Sequence, residues 1–106
     1  MEITKCRSDV AALRVRGLEG ESGFALAGPL DITTADELQP ALMGAESNPL
    51  LLDLSEITFM DSVGLHALLE LVSHRQETVV VRSPSWHVRR LVAACIPDGV
   101  PGLDIE

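Results

Sequence analysis

One stretch, residues 50–72, constrains this chain more than any other: LLLDLSEITFMDSVGLHALLELV. Its opening, Leu50-Leu51-Leu52-Asp53-Leu54, is apolar without clean alternation, which predicts a short strand covered on both faces. Residues 55–60 read as a polar loop that carries buried-type side chains. From Leu65, apolar residues follow at i+3, i+4 and i+7 (Leu68, Leu69, Val72), which is one face of a helix. The unit is therefore strand, loop, helix, with Asp61 and Ser62 at the helix N-terminus. That end of a helix has unpaired N–H groups and a partial positive charge. A hydroxyl there can cap the helix, and a phosphate there is electrostatically favoured. Taken alone, Asp61-Ser62 is a cap. Gly64 in the first turn costs helix propensity and permits close approach of another backbone segment or of a partner.

The flanking elements fit around this unit. Residues 1–12 have no clear period and suit a ragged start or an edge strand. Leu13-Arg14-Val15-Arg16 alternates apolar and basic, as a half-buried strand does. Residues 18–23 form a hairpin loop, and Phe24-Ala25-Leu26-Ala27 is the return strand. Gly28-Pro29 interrupts it, and Leu30-Asp31-Ile32 continues in extended form. Thr34-Ala35-Asp36-Glu37 matches a capping box, with Thr34 as N-cap and Glu37 reaching back. The helix that follows turns Ala35, Leu38 and Leu42 inward and is made irregular by Pro40. Residues 44–49 end it. After the central helix, residues 73–77 are a polar connection into a β-branched strand, Thr78-Val79-Val80-Val81-Arg82. Ser83-Pro84 stops that strand, and Ser85 is a candidate N-cap. Val88, Leu91, Val92 and Cys95 again mark one helix face. Pro97-Asp98-Gly99 and Pro101-Gly102 make turns, and Leu103-Asp104-Ile105 forms a last short strand. The order β, β, α, β, α, β, α, β predicts an α/β domain: a mixed sheet of four to five strands with three or more helices packed mainly on one side.

A chain of 106 residues, 46% hydrophobic, is one domain with a core large enough to fold unaided. Its net charge of −8 argues against a nucleic-acid backbone or an anionic membrane as partner. It favours a basic protein partner. Cys6 and Cys95 make neither a disulfide framework nor a metal site, and the apolar setting of Cys95 predicts a small buried hydrophobe. The N-terminus has no signal-peptide pattern, and no apolar run approaches the about 20 residues that span a bilayer. A cytoplasmic protein is expected.

Catalytic chemistry finds little to work with. A nucleophilic serine needs a base held by an acid. Ser62 has His66 one helical turn on, with His74 and His87 elsewhere. Yet Asp61-Ser62-Val63-Gly64 is not the Gly-x-Ser-x-Gly elbow, and no oxyanion loop is visible. No residues have metal-ligand spacing. No glycine-rich phosphate loop is present, since Gly64 stands alone. Arg89-Arg90 reads as a solvated pair. Trp86 reads as a partly buried cover on a helix end. Neither a catalytic residue nor a cofactor is expected.

The chain resembles the STAS family, the domain shared by bacterial anti-sigma factor antagonists and the tails of sulfate transporters. The resemblance is strongest over residues 24–96. Leu26-Ala27-Gly28-Pro29-Leu30-Asp31 is similar to the family's early strand and its Gly-x-Leu-Asp turn. Leu52-Asp53-Leu54 through Phe59-Met60-Asp61-Ser62-Val63-Gly64-Leu65 is similar to its signature of acidic strand end, Phe-Met-Asp-Ser-Ser-Gly-Leu and helix. Ser83-Pro84 and Val88-Arg89-Arg90-Leu91 resemble its closing helix. In antagonist members the serine after that Asp is phosphorylated by an anti-sigma factor that is also a serine protein kinase. The resemblance places Ser62 at that position, with Val63 where the usual second serine stands. It implies that the unphosphorylated domain binds the kinase and frees a sigma factor, and that phosphorylation ends the binding. Asp61 and Gly64 then shape the loop, and Asp31 lies on the adjacent one. Met60, Val63, Leu65 and His66 are candidates for the contact surface. The alternative is a STAS subunit of a lipid- or solute-transport ATPase assembly, docked permanently, with Ser62 only a cap.

Overall fold

The structure is a computed structural model that describes residues 13–18, 23–42, 50–75 and 78–106. Five strands form one sheet in the order β1-β2-β3-β4-β5: Arg14–Gly17, Gly23–Leu30, Leu50–Met60, Val79–Arg82 and Leu103–Ile105. β1 runs antiparallel to β2, and the other pairs are parallel. A 3₁₀ turn, Ala35–Glu37, leads directly into helix α1, Leu38–Leu42. Helix α2 spans Ser62–Arg75 and α3 spans Trp86–Cys95. This is the mixed α/β sheet with three helices that the hydrophobic pattern predicts.

The inward positions of β2, β3 and β4 share one core with Leu38 and Leu42 of α1, Leu65, Leu68, Leu71 and Val72 of α2, and Val88 of α3. Leu50, Leu52 and Leu54 are buried, while Leu51 and Asp53 between them are half-buried. The central strand is thus fully covered on one face, not both. On the opposite face Arg16, Ala25, Asp53 and Arg82 lie side by side in register across four strands. Burial acts to raise the pKa of Asp53, but hydrogen bonds from the Ser55 N–H and hydroxyl, with Arg82 and Arg16 nearby, outweigh it and hold the carboxyl below its ordinary value.

β3 runs to Met60, so the loop expected at residues 55–60 is strand. Two irregularities explain the difference. From Gly23 to Leu30, β2 advances seven residues, while its partner advances nine, from Leu51 to Met60. The register shifts lie between Ala25 and Ala27 and between Gly28 and Pro29. Each is a bulge that places two β3 residues opposite one on β2. The inward positions therefore change spacing, from Leu50, Leu52 and Leu54 to Ile57 and Met60. Period two becomes period three, and the alternation that marks a strand disappears. At the first bulge the Ser55 N–H turns to Asp53 Oδ1 at 2.9 Å. At the second, Gly28 adopts φ 103°, which a side chain would strain. β1 pairs only as far as Ala27, so Pro29 meets no ladder partner on that side and the strand continues through it.

Several local expectations change. β2 ends at Leu30 and residues 31–34 turn, so Asp31 and Ile32 are not extended. Thr34 holds the N-cap position, but its hydroxyl donates to the Pro29 carbonyl at 2.8 Å and makes no capping bond, so no capping box forms. α2 continues through residues 73–75, which were expected in the connection. Ser85 is the N-cap residue of α3, yet its N–H bonds the Leu54 carbonyl and its buried hydroxyl has no partner. Ala35, Leu38 and Leu42 do face inward. Pro40 falls in the first turn of a short helix, where a missing N–H is tolerated. Cys95 is exposed, not buried: α3 packs on the core through buried Val88 and half-buried Leu91 and Val92, and Cys95 at its end lies beyond that contact. Trp86 is 64% exposed and does not cover the helix end; the Arg90 guanidinium lies 5.0 Å from its ring centroid. The expectations for residues 1–12, for residues 19–22 of the hairpin loop and for residues 44–49 lie outside the described residues.

Candidate functional site

The C-terminal ends of β2 and β3 meet beside the first turn of α2, and two aspartates organise the junction. Asp31 closes an Asx turn. Its Oδ1 accepts the Thr33 N–H at 2.9 Å and the Thr33 hydroxyl at 2.6 Å. Its carbonyl accepts the Thr34 and Ala35 N–H groups at 3.0 and 2.7 Å, which starts the 3₁₀ turn. The Thr34 hydroxyl accepts the Asp31 N–H at 3.1 Å as it donates to Pro29. The Thr33 hydroxyl bond above all, with the N–H bonds, lowers the pKa of Asp31 against a smaller opposing effect of burial.

Asp61 joins this turn to the helix. Oδ1 accepts the Gly64 N–H at 2.9 Å, three residues on, which is an N-cap bond. Oδ2 accepts the Ile32 N–H at 3.2 Å from the neighbouring turn. The cap is therefore Asp61, and Ser62 is the first helical residue with its side chain exposed. Gly64 permits the approach. A Cβ there would collide with the Leu30 carbonyl oxygen and stand 2.7 Å from the carbonyl carbon. The glycine that weakens the helix is what lets α2 start against the end of β2.

The residues singled out from the sequence divide by depth. Ser62, Val63 and His66 are exposed, and Asp31 and Asp61 are half-buried. Met60, Gly64 and Leu65 lie beneath the surface, so they shape the site from below and do not offer side chains to a partner. His66 Nε2 faces Glu70 Oε2 at 3.3 Å. Among the described residues no group of three or more His, Cys, Asp or Glu is placed to hold a metal, and no helix is long and apolar enough to cross a membrane.

Two exposed apolar residues at this end escaped sequence reading. Ile32 is 70% exposed and Phe59 is 45% exposed; Val63, already singled out, is 40% exposed. The signal for Ile32 was its neighbours: between Asp31 and Thr33-Thr34, an apolar residue sits in a tight polar turn and has no core to enter. Phe59 was hidden by the bulge that reverses its facing.

The STAS domain family model matches residues 12–101. The chain belongs to the STAS family. Its fold agrees with two solved structures. A Thermotoga maritima protein assigned as an anti-sigma factor antagonist superposes with TM-score 0.64 at 17% identity, over 88% of this chain and 84% of the other. The anti-sigma factor antagonist SpoIIAA in its unphosphorylated form superposes with TM-score 0.57 at 14% identity, over 90% and 87%. No curated protein matches the chain. In the STAS fold of this chain, the Asp61-Ser62 step lies where the Asx turn, the end of β3 and the first turn of α2 converge.

Proposed function

We propose that this STAS domain is a non-enzymatic, cytoplasmic anti-sigma factor antagonist in a partner-switching pathway. Unphosphorylated, it binds an anti-sigma factor that is also a serine kinase, and so frees a sigma factor. In the kinase complex the Ser62 oxygen attacks the γ-phosphorus of ATP, the bond to the β-phosphate oxygen breaks, ADP leaves, and the hydroxyl proton passes to a base of the kinase. The observation that carries the reading is the placement of Ser62. Its side chain is exposed on the first helical residue, between exposed Val63 and the Asp61 link to exposed Ile32.

That placement accounts for release without unfolding. A phosphoserine carries about −1.5 to −2 charge. At a helix N-terminus the domain accommodates it. A partner packed over Ile32 and Val63 does not, because it would have to strip water from a dianion beside two carboxylates. Burying an ion costs several kcal/mol, and about 3 kcal/mol is already more than a hundredfold in affinity.

The test is intact mass after incubation with ATP and a candidate anti-sigma factor of the serine-kinase type from the same organism, using wild type and Ser62→Ala. The expected result is one phosphate on wild type, none on the variant, and binding by Ser62→Ala that Ser62→Asp has lost. Equal binding by the two variants would refute the switch. Neither phosphate nor binding, with stable association to a transport ATPase instead, would establish the permanent docking role.

A further inference from the structure

A groove of about 210 Å³ separates the segment 35–40 from α2 and begins one residue beyond Ser62, at Val63. Pro40, Val63 and Ala67 give it apolar walls, while Asp36 stands on one side and Glu70 on the other. Among the described residues no lysine or arginine pairs with either acid, and the ion-pair partner of Glu70 is His66, itself exposed. Gln39 and His66 complete the lining, so the groove combines an apolar strip with two carboxylates on opposite walls, in a chain of net charge −8.

We propose that this groove receives an arginine side chain of the binding partner. The inference rests on the binding-module reading above and names the chemistry of the partner's anchor. A long aliphatic stem with a cationic head matches the trough, the stem lying on Pro40, Val63 and Ala67 and the head reaching the acids. The planar guanidinium fork can address two carboxylates at once, which a lysine ammonium does less well. An aromatic or aliphatic anchor would cover Asp36 without pairing it and take the exposed His66–Glu70 contact out of water, at the cost of desolvating charge. Seated one residue from Ser62, the arginine sets the register of the partner over that hydroxyl. A phosphate on Ser62 stands at the rim and offers the same guanidinium a stronger acceptor outside the trough. Phosphorylation then draws the anchor from its seat as well as hydrating the apolar contact.

The test uses N-acetyl-arginine methylamide as probe, titrated into the full ¹⁵N-labelled chain and followed by amide chemical shifts. The neutral citrulline derivative, matched in shape, is the control. The expected result is shifts centred on Val63 and Ala67 that the arginine probe produces and the citrulline probe does not, with Asp36→Asn and Glu70→Gln each weakening binding at least threefold. Equal shifts from both probes would overturn the proposal. So would arginine shifts spread over the acidic surface and unchanged in both variants. The outcome is separable from the kinase reading: phosphorylation of Ser62 with no arginine-specific shifts removes the anchor and keeps the switch. Arginine-specific shifts in a chain that the kinase neither binds nor modifies keep the anchor and remove the switch.

Discussion

Replacing Gly64 with alanine sets two effects of opposite sign against each other. Helix propensity alone favours alanine by about 0.8–1 kcal/mol. The backbone at Gly64 is not left-handed, so that gain is open to it. Against it stands the new Cβ, which collides with the Leu30 carbonyl oxygen, lies 2.7 Å from the carbonyl carbon and lies 3.2 Å from Leu30 Cγ. Leu30 is fully buried, so neither its carbonyl nor its side chain can swing clear. The helix start must back away instead. Overpacking of this kind costs about 1–3 kcal/mol. Backing away also stretches the Asp61 bonds to the Gly64 and Ile32 N–H groups, where losing one costs about 1 kcal/mol. With overpacking at its upper end, the net loss is about 3 kcal/mol, or a fall of about 10–20 °C in Tm for a domain of this size. Thermal and urea unfolding followed by circular dichroism measure it. Gly17→Ala is the control, since nothing lies within 4 Å of a Cβ there, and it should stay near wild type. A Gly64→Ala protein at or above the wild-type Tm would refute the close-approach argument and leave propensity as the dominant effect.

Two further outcomes follow from single environments. Asp31 and Asp53 both have folded pKa values lowered from the ordinary carboxylate value. Their contribution to stability is therefore present above the unfolded value of about 3.9 and is lost as pH falls through the folded values. Tm measured from pH 6 to pH 2.5 should fall less steeply below about pH 4 for the Asp31→Asn/Asp53→Asn double variant than for wild type; parallel curves would contradict it. Trp86 is the only tryptophan and is exposed. Its fluorescence should have the red-shifted maximum of a hydrated indole already in the native state, and Trp86→Ala should change stability by less than about 1 kcal/mol; a large blue shift on folding would show that the ring is covered.

The order of elements was legible because periodicity is a property of a buried face. Leu65, Leu68 and Val72 point into the core as their spacing requires, and Val79 and Val81 do the same for β4. Leu71, buried just outside that stripe, shows that the face is wider than the minimal pattern. What failed was whatever depended on a second element. Strand character at residues 55–60 is imposed by pairing with β2 through two bulges, and an inserted residue erases the local signal. Thr34 sits at a cap position, but its hydroxyl oxygen accepts from the Asp31 N–H while its proton goes to the Pro29 carbonyl, so both bonds turn it back toward β2 and away from the helix. Cys95 was placed by the spacing of its helix face and Trp86 by its position at the helix start, whereas their exposure is set by where α3 meets the core, at Val88, Leu91 and Val92. The site was half legible in the same sense. The position of Asp61 and Ser62 on the helix could be read directly. The exposure of Ile32 and Phe59, and the groove beyond Val63, needed the turn and the bulge in three dimensions.

The double role of Asp61 bears on how such a surface can bind. One carboxylate caps α2 and holds the Ile32 backbone, so the largely exposed apolar side chain of Ile32 is presented by a fixed turn. Association normally loses free energy to loop ordering. Here the Asx turn at Asp31, the two threonine hydroxyls and the Asp61 bridge have ordered the turn before a partner arrives. The same construction keeps Ser62 at a helix start that tolerates a phosphate. Replacing Asp61 with asparagine separates these functions, because the amide oxygen can keep one of the two bonds and not both. Faster amide exchange at Ile32 than at Gly64, with partner affinity falling in step with Ile32 mobility, is the expected pattern. Unchanged exchange at Ile32 would mean that the turn holds itself and the bridge to Asp61 is incidental.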